Sequence, residues 1–435
     1  MRRSVVCATI VALALVAGAV YHVKTSMAGG AFLLNVGSDG SDGDLVAQNT
    51  VLTIDLSQAV TASWDAPSPV PGLGVYDAAK WAVVFKYRSI NFSNVTVRFK
   101  NHPSRAPVVW LVQEDVSLSG TVDVSGKDGN QLSAFPTEPG PGGFRGGYGY
   151  DVGSLIRSGG FGPGGGARVG DTNAGGGAGH AGPGLGGGAG LAYGEPSLRM
   201  LVGGSGGGGG RWNNDNQLFP GGAGGGAILI AAGGTFEFVN GYILADGGNA
   251  ANINAGGSGG SVRIVASKVE GNGRIYARGG YGSGAGLNTS HGAEGFIHVD
   301  AFESTLPHGD PVYTFGFVGD PAPIWPDPAM PRVTVTKVRN ADVGQVTVPA
   351  DPHARFDGAP NADVAVHTNK PLVVEITAEN VPLTSSVTLR VVPRLLDDFT
   401  VPAAPVFGNT TSSRWEATFT PTHGIATLQA RVDLP

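Results

Sequence analysis

The sequence predicts an all-β chain: a right-handed parallel β-helix, or solenoid, with glycine-rich loops along one edge, followed by an immunoglobulin-like β-sandwich. Three observations predict it. The pattern G-x-[IV]-x-[IV]-x-A occurs at residues 226–232, 260–266 and 295–301, and its copies stand about 34 and 35 residues apart, a period of repeat architectures. A companion pattern, G-x-[IV]-x-[AV]-x-G, occurs at residues 120–126, 241–247 and 273–279. Short alternating strands repeated at a fixed period read as a solenoid. Beyond residue 331 glycine thins out and short β-branched strands recur over about 100 residues, as in a sandwich.

Taken in order, the chain opens on an export signal. Arg2 and Arg3 precede an apolar run from Val5 to Val20, and small residues suited to cleavage follow at Ala17–Ala19 and Ser26–Ala28. A signal peptide over residues 1–28 places the protein outside the cell or on its surface, with no membrane span after cleavage. An uncleaved anchor is the competing reading. Cys7, the one cysteine, lies in the apolar run, so the mature chain must be held by packing and hydrogen bonds rather than disulfides.

Residues 29–115 read as an N-terminal β cap and first coil. Residues 81–87 and 95–99 alternate or run apolar with β-branched and aromatic side chains, and Val108–Val112 is continuously apolar, the mark of a strand buried on both faces. The solenoid spans residues 116–304 with an insertion at 127–225. Residues 305–331 form a Pro-rich linker, and residues 332–435 form the sandwich. Roughly 55 of the 73 glycines fall within residues 140–295, and they follow one repeat pattern and precede the other. Insertions at one phase of a repeat emerge on one face. Glycine at every third position (Gly176, Gly179, Gly182; then Gly184, Gly187, Gly190) suits extended polyproline-type segments packed side by side. Flexible glycine loops are the alternative.

Composition excludes some functions. A net charge of −6 with 14% charged residues carries no basic stripe for nucleic acid. Asp39, Asp42 and Asp44 crowd three carboxylates into six residues, which suits calcium or a plain Asp/Gly turn; no other cofactor is indicated. Arg211, Trp212, Asn213, Asn214, Asp215 and Asn216 form a polar island with one large aromatic between glycine runs. Aromatic stacking plus amide hydrogen bonds would suit a glycan, and an ordinary polar turn is the alternative. Residues 204–210 match G-x-G-x-x-G only trivially, because no helix follows. His180, His291, His298 and His308 lack metal-ligand spacing. No nucleophile elbow or other catalytic set is legible.

The repeat strands and their glycine-rich connections resemble secreted, glycine-rich parallel β-helix proteins of bacteria, and residues 75–126 resemble the opening of that group. The glycine loops are also similar to those of phage tail-fibre adhesin tips. The resemblance covers residues 37–302 and implies a fold; no catalytic residue transfers with it. The function expected is a non-enzymatic structural or adhesive protein whose glycine-rich edge contacts extracellular polysaccharide or other copies of itself. A carbohydrate-active β-helix protein, either polysaccharide lyase- or hydrolase-like or a glycan-binding module, is the alternative.

Overall fold

The computed structural model describes residues 33–130, 135–149, 158–168, 175–210, 220–250, 255–282, 290–306, 316–319, 331–342, 344–348, 368–393, 397–421 and 426–435, with 321, 324 and 364. The signal segment therefore lies outside the described residues. Among the described residues, apart from one 3-10 turn at Leu56–Gln58, the regular structure is all β.

Six strands pair in parallel around a closed ring. They are β4 (Ala82–Lys100), β5 (Val108–Val112), β7 (Ala227–Ala232), β9 (Ser261–Gly271), β8 (Thr235–Leu244) and β6 (Val116–Asp123), which returns to β4. Further strands lie outside the ring. β1 (Gly43–Asp55) runs along β4, β10 (Arg274–Tyr276) along β8, and β11 (Phe296–Ser304) along β9, with β12 (Gly316–Gly319) beyond it. The short strands β2 (Val60–Thr61) and β3 (Val75–Asp77) attach to the start of β4.

This corrects the expected solenoid: the architecture is a closed parallel barrel with outer strands, not a right-handed β-helix. The reason is the length of two strands. β4 pairs with β5 through Val83–Tyr87 and with β6 through Ile90–Arg98. β9 pairs with β7 through residues 261–265 and with β8 through Lys268–Gly271. Each turns a corner of the ring, so pairing closes on itself instead of running only between successive copies. The repeat positions do stand side by side: Ile228 beside Val262 beside Ile297, and Val122 beside Ile243 beside Ile275.

The inward side chains of these strands, among them Phe85, Trp110, Ile230, Phe236 and Ile264, form one apolar core. The outer face of β5, β7 and β9 is buried too. Leu111, Leu229 and Val265 are covered by Val36, Trp64 and Leu201, which explains the unbroken apolar runs in β5 and β7. On that outer face, Arg263 and Asp300 form a fully buried ion pair at 2.8 Å, and His298 Nε2 donates to Asp300 at 2.9 Å.

Most of the described residues in the glycine-rich segments are buried, with Gly186, Gly187 and Gly188 at the surface. They form a solid slab of extended chains. Residues 203–209 are its hub, and their hydrogen bonds repeat every third residue. Gly204 and Gly207 donate to Gly225 and Gly222, Gly206 and Gly209 donate to Phe161 and Ser158, and the third row exchanges with Gly176 and Ser258. Three residues per turn without internal hydrogen bonds is the polyproline-type helix, and it aims successive amides at three different neighbours. A Cβ at Gly206, Gly207 or Gly209 would lie 1.8–2.2 Å from a backbone oxygen of the next chain. Close approach, rather than flexibility, is why these positions are glycine.

Two antiparallel sheets follow. One holds β13 (Arg332–Asn340), β14 (Gly344–Thr347), β15 (Leu372–Glu379), β18 (Ala404–Gly408) and β19 (Ser412–Phe419); the other holds β16 (Ser386–Pro393), β17 (Phe399–Pro402) and β20 (Ala426–Asp433). They share a core of Val374, Ile376, Leu389, Val391 and Trp415. Arg390 Nη1 donates to Gly160 O and Gly162 O, both at 3.1 Å, and Arg431 Nη1 donates to Pro163 O at 3.3 Å. These bonds fasten the sheets to the slab.

Candidate functional site

A shallow, open cleft with an enclosed volume of about 40 Å³ lies where barrel, slab and C-terminal sheets meet. Its walls are Trp81, at the entry to β4, Phe144 and Phe161 from the slab, and Thr427 and Gln429 from β20. Trp81 and Phe144 lie 6.5 Å apart, inclined at 32°. Trp81 Nε1 donates to Ser104 O at 3.1 Å. Phe161 is backed by Tyr148 and Val392.

The loop at residues 101–106 builds the polar side. Ser104 N donates to His102 Nδ1 at 3.2 Å, and the His102 ring stacks on Tyr76 at 4.0 Å. This tight turn presents Arg105, whose carbonyl accepts from Gly142 N at 2.7 Å. Glu138 then gathers the cleft's charge. It accepts from Arg105 Nε at 3.0 Å, Arg145 Nε at 3.1 Å and Asn101 Nδ2 at 2.9 Å. Two guanidinium groups thus share one carboxylate. Trp81 and Arg105 both hold left-handed backbone, φ +47° and +55°. Such conformations are costly for side-chain-bearing residues and concentrate at functional sites. Apolar faces beside fixed donors and acceptors suit a ligand with one flat apolar side and several hydroxyl or anionic groups.

The residues expected from the sequence fare differently. Arg211, Trp212, Asn213, Asn214, Asp215 and Asn216 lie outside the described residues. The structure sends Asp39, Asp42 and Asp44 three ways. Asp42 is buried and accepts from Ser68 Oγ at 2.7 Å, Gly72 N at 2.9 Å and Lys86 N at 2.6 Å. Asp44 accepts from Arg88 Nε at 2.8 Å and Ser89 Oγ at 2.9 Å, and these bonds hold it below the usual carboxylate range. Asp39 is exposed and accepts from Ser41 N at 3.0 Å. Among the described residues no group of three His, Cys, Asp or Glu is placed to hold a metal ion. No local signal could have found the cleft, since its lining comes from residues 81 to 429 and only folding joins them.

His180 lies wholly buried inside the slab. It stacks on Tyr193 at 4.6 Å, its Nδ1 donates to Gly259 O at 2.7 Å, and its Nε2 has no partner among the described residues. Burial lowers its pKa to about 4, against the smaller opposing effect of the Gly259 carbonyl. It is therefore a neutral structural ring at physiological pH.

Comparison with protein-family models, with curated proteins and with solved structures finds no match.

Proposed function

We propose that the chain is a non-enzymatic structural or adhesive protein working outside the cell, and that it holds a carbohydrate group in the cleft of Trp81, Phe144 and Phe161. The observation that carries this reading is that cleft. Three aromatic rings and a hydrogen-bonded Arg105–Glu138–Arg145 cluster converge there. Aromatic faces cover the C–H side of a sugar ring, and fixed donors and acceptors meet its hydroxyls. The apolar segment behind Arg2 and Arg3 supports export. Calcium has no part in this reading, because the three early aspartates are engaged with protein groups.

The test is binding of a panel of neutral and acidic oligosaccharides, followed by calorimetry and by tryptophan fluorescence. Binding should weaken at least tenfold in Trp81→Ala and in Phe144→Ala, with the melting temperature of each variant measured alongside. A ligand bound equally well by both variants sends the function elsewhere on the molecule. Release of shortened sugars during the assay overturns the non-enzymatic part and favours the carbohydrate-active alternative.

A further inference from the structure

Strand β1 is a 13-residue outer strand, and among the described residues it pairs only with β4. Its other edge presents a row of backbone groups to any strand that can lie alongside. Natural proteins blunt such edges with lysine, proline, a bulge or short length. Here residues 45–54 contain no charged residue, proline or glycine, and the one irregularity in register against β4 falls at Gly43–Leu45. Leu45, Ala47, Leu52 and Ile54 point inward but are only partly buried, although each packs against the barrel core. Val46 and Val51, 67% and 60% exposed, point outward. Asn49, with φ +48°, accepts from Asn94 Nδ2 at 3.0 Å, and its own Nδ2 has no partner among the described residues.

The order of side chains along β1 says what covers the edge. Alternation breaks at Asn49–Thr50, and the two halves mirror each other about that point. We propose that two copies of this chain pair antiparallel through their β1 edges, about a two-fold axis passing between Asn49 and Thr50. Leu45 then faces the partner's Ile54, and Ala47 faces the partner's Leu52, all four on the core side. Val46 faces the partner's Thr53, and Gln48 faces the partner's Val51, all on the outer side. A shift of one residue would set core-side against outer-side residues. A shift of two would set Ala47 against Thr50 or Leu52 against Asn49, so only the centred register matches every inward residue. At the ends, Asp44 meets the partner's Asp55, but each arrives with its cation, Arg88 and Lys100, so charges alternate there. A two-fold interface requires such self-complementarity, and the joined strands complete the half-covered end of the core.

The pairing stands apart from the ligand cleft, so either can fail without the other. The test is the solution mass of the full chain by light scattering at micromolar concentration, with two double variants at exposed positions. The natural chain should have twice the mass of one chain. Gln48→Lys/Val51→Lys sets like charges opposite each other at both symmetric sites, and should raise the dissociation constant at least tenfold. Gln48→Lys/Val51→Glu sets opposite charges there, and should return it to within about threefold of the natural value. A monomeric natural chain overturns the proposal, including one whose β1 amides are protected from hydrogen exchange by another segment of the same chain. A dimer indifferent to both double variants overturns it as well.

Discussion

Replacing Gly206 with alanine tests whether the slab is held by backbone contact. A Cβ there would lie 1.8 Å from Arg145 O and 2.4 Å from Arg145 C. Ordinary contact begins near 3.4 Å, so neighbouring chains must part by roughly 1.5 Å, an overpacking strain of about 1–3 kcal/mol. The displacement also pulls on two hydrogen bonds, Gly206 N to Phe161 O at 2.9 Å and Gly166 N to Gly206 O at 3.1 Å, worth about 1 kcal/mol each. Alanine stiffens the unfolded chain and returns up to about 1 kcal/mol. The net cost is about 3 kcal/mol, or roughly 3–5 °C in melting temperature for a chain of this size. Gly182→Ala is the matched control. Nothing lies within 4 Å of its added Cβ and its φ is not left-handed, so that variant should be neutral or slightly more stable. Differential scanning calorimetry of the two variants decides the matter. A Gly206→Ala protein that melts with Gly182→Ala would refute the close-packed slab.

Two further predictions concern buried polar groups. His180 titrates near 4 in the fold against about 6.5 unfolded. Between those values the unfolded chain holds the extra proton, so stability is fully present above about pH 6.5 and falls as pH drops toward 4, by about 3 kcal/mol from this group. His180→Phe should flatten that part of the stability–pH curve; an unchanged slope in denaturant titrations would place the acid sensitivity elsewhere. Asp300→Asn removes the charge opposite the fully buried Arg263 and should cost about 3–5 kcal/mol in chemical denaturation. A loss below about 1 kcal/mol would mean that Arg263 is compensated by other groups.

The barrel was partly legible in the sequence. Inward residues of the repeats, such as Ile228, Val262 and Ile297, became neighbours in register because β-branched residues at period two select one face. Closure of the ring was not legible. Residues 81–87 and 95–99 read as two strands, yet residues 82–100 form one strand, with Asn94 absorbing the bend at φ +55°. Nothing local marks a strand that serves two partners. Glycine spacing hinted at extended packed segments, but which segment meets which depends on contacts far apart in sequence. The early aspartates, whose spacing suits calcium or a plain turn, each accept from nearby protein donors: Asp39 from Ser41, Asp42 from Ser68, Gly72 and Lys86, and Asp44 from Arg88 and Ser89.

The slab also raises the question of what orders it, since glycine loses more backbone entropy on folding than any other residue. Apolar burial contributes little to a lattice of glycines. Its hydrogen bonds begin as continuations of the barrel ladders. Val124 N donates to Leu244 O at 2.8 Å, Gly126 N to Asp246 O at 2.9 Å, and Gly247 N to Arg278 O at 2.8 Å. Gly226 N then donates to Val124 O at 2.7 Å as the chain re-enters β7. The barrel, with its apolar core, thus fixes the register and spacing of the chains that enter the slab. The glycines then only have to fit a separation already set for them. Slab order is therefore a consequence of barrel stability, and the placement of Phe144 and Phe161 in the cleft wall follows from the same source.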